Sequence, residues 1–300
     1  MSPTLRAALW MIGSVVSFSA MAVAGRELHG AHDTFEIMLY RSLVGLGIVV
    51  AVMLATGRMG QIATQRFGLH LLRNLAHFAG QNLWFYALAL VPLAQAFALE
   101  FTAPLWALLF APLVLGEPIT RVRSLAALLG FVGVLVVTRP FSAPLTVGVI
   151  AAAAAAIGFG FSALFTRRLT RTESLTTILF YLTALQVALG LVSAGYDGEI
   201  APPTLATAPL LALIGIAGLV AHYCLTSALR LVPATVVMPL DFTRLPLIAL
   251  IGWAVYGERL DGYIALGAAL IFAANTLNLS EGARARRAMR RLQQETGRGA

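Results

Sequence analysis

The chain has 300 residues, 59% of them hydrophobic and 11% charged, with a mean hydropathy of +0.84 and a formal charge of +8. So apolar a chain excludes a soluble helical bundle, because its helices would have nothing to turn toward water. The basic residues are 21 arginines with no lysine, and their placement argues for membrane orientation rather than nucleic-acid binding.

Apolar stretches of roughly 20 residues, enough to cross a ~30 Å hydrocarbon core, recur along the chain. Ten spans are predicted, at 7–26, 35–56, 70–90, 94–115, 122–138, 146–166, 175–194, 207–229, 234–256 and 261–279. They must be helical to satisfy their own backbone in lipid. The connections are too short to hold a soluble domain.

The first span follows Arg6 and ends in Ala22-Val23-Ala24, which resembles a secretory leader. The duplication makes it an integral span instead. Phe18 falls on Phe159 and Arg26 on Arg167, each 141 residues on, so the span belongs to a repeated unit. Small residues such as Gly13, Ser14 and Ser17 allow close helix contact, with Phe18 as a candidate cavity gate. The second span carries Arg41, a buried cation with no charged neighbour in sequence; Glu100 is its expected partner.

On the third span His77, Gln81, Trp84, Phe85 and Leu88 follow helical spacing and form a polar, aromatic stripe. Such groups are costly against lipid, so they either line a cavity or hydrogen-bond helices together. The fourth span opens with Leu90-Val91-Pro92, carries Glu100-Phe101-Thr102 and Pro104 inside, and ends at Gly116-Glu117.

The second half repeats this order. Leu231-Val232-Pro233, Asp241-Phe242-Thr243 and Gly257-Glu258 stand 141 residues beyond their counterparts, so loop lengths match as well as apolar runs. Phe159 in the sixth span, among Ala151 to Ala156, Gly158 and Gly160, repeats the setting of Phe18. The eighth span answers the stripe with Gly218, His222, Leu225, Thr226 and Leu229, and contains the only cysteine, Cys224, expected to be packing. In the ninth, Arg244 follows Asp241 by three residues on the same helical face, while Pro239 and Pro246 weaken the helix. Glu100 and Asp241 either form structural ion pairs or hold a solute's ammonium group, with Arg244 or Arg41 near its carboxyl group. Glu117 and Glu258 are expected to be interfacial caps or salt bridges between repeats.

The predicted domains are therefore 1–140 and 141–280, each a five-helix repeat, followed by a basic cytoplasmic tail at 281–300 expected to be frayed. Because five is odd, the second repeat starts on the opposite face, and the two are inverted about an axis in the membrane plane, with a cavity between them. If the N-terminus is cytoplasmic, 16 arginines including Arg73 fall on that side against Arg26, Arg139 and Arg259 on the other, so both termini are expected in the cytoplasm of an inner-membrane protein.

The repeated motifs Ala87-Leu88 to Pro92 and Ala228-Leu229 to Pro233, with Gly116-Glu117 and Gly257-Glu258, resemble the drug/metabolite transporter superfamily in its ten-helix EamA-type branch. Within it the chain is most similar to YddG-type amino-acid exporters. The resemblance implies an all-α basket around a central cavity lined by spans 1, 3, 4, 6, 8 and 9. It implies alternating-access export of amino acids and related amphipathic metabolites. The substrate-binding candidates are Phe18, His77, Gln81, Trp84, Phe85, Glu100, Phe159, His222, Asp241 and Arg244. Partners are a small-molecule solute and the bilayer, with a monomer as the expected state. Carriers of sugar phosphates, nucleotide sugars or cationic drugs are the alternative, and a lipid-acting enzyme using Glu100 and His77 a remoter one. No metal-ligand spacing, phosphate loop or nucleophile elbow occurs, so no metal, cofactor or catalytic residue is expected.

Overall fold

A computed structural model describes residues 2–116, 119–139, 145–196, 198–232, 237 and 240–296; the side chains of 229, 230 and 281–296 are not described. Glu117, Pro233 and Pro239 lie outside these residues. Among those described there are helices and no strand, only an isolated bridge between His29 and His32. The helices are α1 Pro3–Glu27, α2 Thr34–Ala55, α3 Phe67–Leu90, α4 Leu93–Glu100, α5 Ala103–Leu115, α6 Arg121–Thr138, α7 Val147–Leu169, α8 Leu175–Ala194, α9 Ala208–Leu231, α10 Arg244–Tyr256 and α11 Gly262–Thr296.

Eight segments are long and apolar enough to cross a membrane, counting α4 and α5 together, and α10 is a shorter apolar helix. The tail expected to fray instead continues α11 as helix to Thr296. Local chemistry fixes the boundaries. Ser2 caps α1, Asp33 and Glu36 form a capping box on α2, and Ser174, the equivalent of Asp33, accepts the Thr177 amide at 3.1 Å on α8. Gly116 and Gly257 end α5 and α10 in the left-handed conformation (φ 70° and 64°), which a side chain would resist.

The duplication is visible in the helix limits: α3 and α9, and α5 and α10, begin and end 141 residues apart. It is visible in packing too. The most extensive interfaces are α3 on α7 and α1 on α9, which the shift interchanges; α6 on α11 and α2 on α8 are each mapped onto themselves. Small residues let these backbones approach. A Cβ on Gly133 would lie 2.8 Å from the Gly267 carbonyl oxygen, and one on Gly267 2.7 Å from that of Gly133. Gly158 sits against Gly80 in the same way, and Cys224 fills the space beside Gly13. One equivalence is broken: α5 packs broadly on α7, whereas α10 touches α1 over far fewer residues.

The fourth span is discontinuous. The helix stops at Phe101-Thr102 and restarts with Pro104 in its first turn, where proline's missing N–H costs nothing. Thr102 donates to the Leu99 carbonyl at 2.7 Å, and buried Asn275 of α11 donates to the freed Phe101 carbonyl at 2.8 Å. The same break follows Asp241, where Thr243 donates to the Leu240 carbonyl at 2.6 Å before α10 begins. The breaks are equivalent although Pro104 and Pro246 differ in register by one residue, because the threonine closes both.

Candidate functional site

The two breaks meet. Phe101 and Phe242, equivalent by the repeat, stack on each other with centroids 4.2 Å apart and planes 18° from parallel. Beside them Arg244, 4% exposed, donates to Glu100 Oε1 at 3.2 Å and to Asp241 Oδ2 at 3.3 Å. Its guanidinium carbon lies 4.7 Å from the ring centre of Phe18, 5.1 Å from Phe97 and 4.9 Å from Phe101. One cation shared by two carboxylates leaves the cluster with a net charge of −1. Among the described residues Glu100 Oε2, Asp241 Oδ1 and Arg244 Nε have no hydrogen-bond partner. Buried charges with unused lone pairs are costly.

Of the other expected residues, Trp84, Phe18 and His222 lie beside this centre, and His77, Gln81 and Phe159 form a neighbouring group. Trp84 packs edge-on against Phe97 and Phe85, and its indole lies alongside Glu100. Phe18 makes a T-shaped contact with His222, centroids 5.3 Å apart, and Phe159 tilts against His77 at 5.9 Å. The whole α3 stripe, His77, Gln81, Trp84, Phe85 and Leu88, is buried. Ser162 contacts His77 Nδ1 at 3.4 Å, and His77 Nε2 has no partner. Phe85 points elsewhere, filling the space left by Gly25 on α1 and bordering a cavity of about 640 Å³ near residues 29–35. The Leu229 side chain lies outside the described residues.

One expectation is corrected. Arg41 does not reach Glu100; it donates to Gln81 Oε1 at 2.8 Å, and Arg244 on α10 is the cation that Glu100 meets. Arg73, which the charge count took only by side, is buried in α3 and donates to Thr166 at 3.1 Å. Glu258 does bridge the repeats, but to Arg26 of α1 rather than its neighbour Arg259, and it also accepts the Leu93 amide at 2.9 Å. Tyr256 donating to Glu27 at 2.7 Å and Arg139 paired with Asp261 at 2.6 Å strengthen the same end. At the other end Gln61 meets Ser174 and Thr177, and Thr64 donates to Glu173 at 2.7 Å. The sequence reading missed Phe97 and Phe101 as walls and Arg26 as a clasp. The identical phenylalanine in Glu-Phe-Thr and Asp-Phe-Thr was the available signal for the stacked pair.

The sequence profile of the EamA-like transporter family matches the chain twice, over residues 5–139 and 146–280, with the same 141-residue spacing. The chain belongs to that family. It is a multi-pass membrane transporter and not an enzyme, which disposes of the lipid-acting alternative. A riboflavin transporter of Brucella anthropi is 33% identical, over 80% of this chain and 85% of its own length. An S-adenosylmethionine uptake transporter of Rickettsia bellii is 27% identical, over 88% and 90%. A solved crystal structure at 22% identity superposes with a TM-score of 0.62, covering 90% of this chain and 96% of the other, a likeness of fold alone. These relatives support a carrier of small metabolites. They do not single out the amino-acid export that the likeness to YddG-type proteins implied.

Proposed function

We propose that this EamA-family chain carries amphipathic metabolites with a flat aromatic part across the bacterial inner membrane by alternating access. In this reading ten spans form two inverted five-helix repeats with both termini cytoplasmic, and the solute sits where the two helix breaks meet. Discontinuous helices at matching positions of two halves are where such carriers hold their cargo. The observation that carries the reading is the Arg244–Glu100–Asp241 cluster enclosed by Phe18, Phe97 and Phe101. Its aromatic walls give a solute's ring apolar surroundings, although Phe101 is itself covered by Phe242 and Arg244. Its unpartnered carboxylate oxygens accept from a cationic or N–H-bearing arm, and its net negative charge disfavours phosphorylated sugars and nucleotide sugars.

Riboflavin and S-adenosylmethionine, the cargo of the two relatives, both combine a fused heteroaromatic ring with a polar arm. Aromatic amino acids share that pattern on a smaller scale and belong in the same panel. The test is uptake of these three solute classes into sealed liposomes containing the purified protein. Saturable accumulation of at least one, lost in the Glu100→Gln/Asp241→Asn double variant, is expected. Uptake no greater than in protein-free liposomes for every class, or unaltered in the double variant, overturns the proposal.

A further inference from the structure

Apart from the carboxylate cluster, a second buried polar site lies between α2, α8 and α9. It is a small cavity of about 20 Å³ lined by Arg41, Ser42, Gly45, Thr183, Gln186, Gly218 and the candidate residue His222, among others. It sits on the internal symmetry axis: Ser42 and Thr183 are equivalent positions, as are Gly45 and Gln186. The Arg41 guanidinium packs directly on Gly218, where a Cβ would stand 3.0 Å from Nη2.

The polar groups here are unusually short of partners. Gln186, 1% exposed, has neither amide atom hydrogen-bonded, and buried Ser42 Oγ and Arg41 Nε are also without a partner. Thr183 has spent its hydroxyl on its own helix, at 3.1 Å from the Leu179 and Phe180 carbonyls. Three donors without partners therefore line this cavity, from Arg41, Ser42 and Gln186. The charge of Arg41 is also unanswered. Its hydrogen bond goes to the neutral Gln81, and among the described residues the ionisable groups in electrostatic reach are Arg73, His77 and His222, none of them an anion. Leaving a buried guanidinium without a counter-charge is among the costliest arrangements a protein can make.

We propose that this cavity binds one small monatomic anion, a halide such as chloride. The volume admits a single water-sized occupant and no carboxylate-bearing metabolite. A water molecule would satisfy the amide carbonyl of Gln186 as well, yet it leaves the Arg41 charge uncompensated; the anion answers the charge and takes all three donors. The ion would stabilise the α2–α8–α9 junction, where the two repeats meet.

The test is the melting temperature of the full-length protein in detergent, with sodium chloride exchanged for sodium gluconate at constant ionic strength. A ligand that binds the folded state alone raises stability with the logarithm of its concentration. Chloride and bromide are expected to raise the wild-type melting temperature in this way. Gln186→Glu places a fixed carboxylate beside Arg41 and is expected to melt alike in both salts; Ser42→Ala is expected to shrink the chloride response. Equal melting of the wild type in chloride and gluconate means the cavity holds only water and overturns the proposal. A Gln186→Glu protein that still answers to chloride as the wild type does places the ion elsewhere and also overturns it. The wild-type titration decides by itself should a variant fail to fold.

Discussion

Removing Arg244 and removing one of its carboxylates should have very unequal effects. The guanidinium contacts Glu100 at 3.2 Å and Asp241 at 3.3 Å. At an effective dielectric of ~20 each attraction is worth about 5 kcal/mol before desolvation is subtracted. Arg244→Gln leaves two neighbouring buried carboxylates with no counter-ion, a rupture that typically costs roughly 3–5 kcal/mol. Glu100→Gln instead leaves Arg244 and Asp241 as a one-to-one pair, relieves the repulsion between the acids, and should cost less than about 1 kcal/mol. The triple variant Arg244→Gln/Glu100→Gln/Asp241→Asn should recover most of the loss, because no buried charge is left unanswered. Melting of the purified proteins in detergent reads this directly, with a fall on the order of 10 °C expected for Arg244→Gln. If Arg244→Gln and Glu100→Gln melt within a degree or two of each other, this charge reasoning is refuted. The triple variant, folded but lacking its charges, should not transport.

Three further outcomes follow from the geometry. Gly133→Val forces its branched carbon against the Gly267 carbonyl and should cost about 1–3 kcal/mol, read as lowered melting and lowered yield of monodisperse protein, while Gly47→Ala, with open space around it, should be neutral. Arg26→Gln removes the clasp to Glu258, and should change transport rate several-fold and raise the labelling of a cysteine introduced at Leu93, without a comparable loss of melting temperature. His77→Ala and Gln81→Ala should alter the relative uptake of the solutes tested; an effect on protein yield alone would make these side chains helix glue.

The repeat carried much of the fold into view. A constant spacing fixes which helices are equivalent, and polar residues at helical intervals on α3 show which side turns inward, because lipid tolerates no other arrangement. Glu100 and Asp241 were conspicuous for the same reason. The partner choice was hidden: Arg41 and Arg244 are both buried cations, and only the meeting of the two breaks puts Arg244 between both acids. Phe97 was also hidden, since a phenylalanine in an apolar run carries no mark distinguishing a chamber wall from a lipid-facing residue. The burial of Arg73 was also hidden, because it lies near the start of its helix, where arginine ordinarily reaches the headgroups; its contact with Thr166 depends on how α3 and α7 are packed together.

The unequal packing of α5 and α10 has a bearing on motion. Segments of matching length and pattern occupy different places, one laid along its neighbour across the repeat boundary and the other standing largely apart. A conformer with those places exchanged would use the same kinds of interface on the other half of the molecule. Because the two halves repeat one pattern, such a conformer would call for no interface of a new kind.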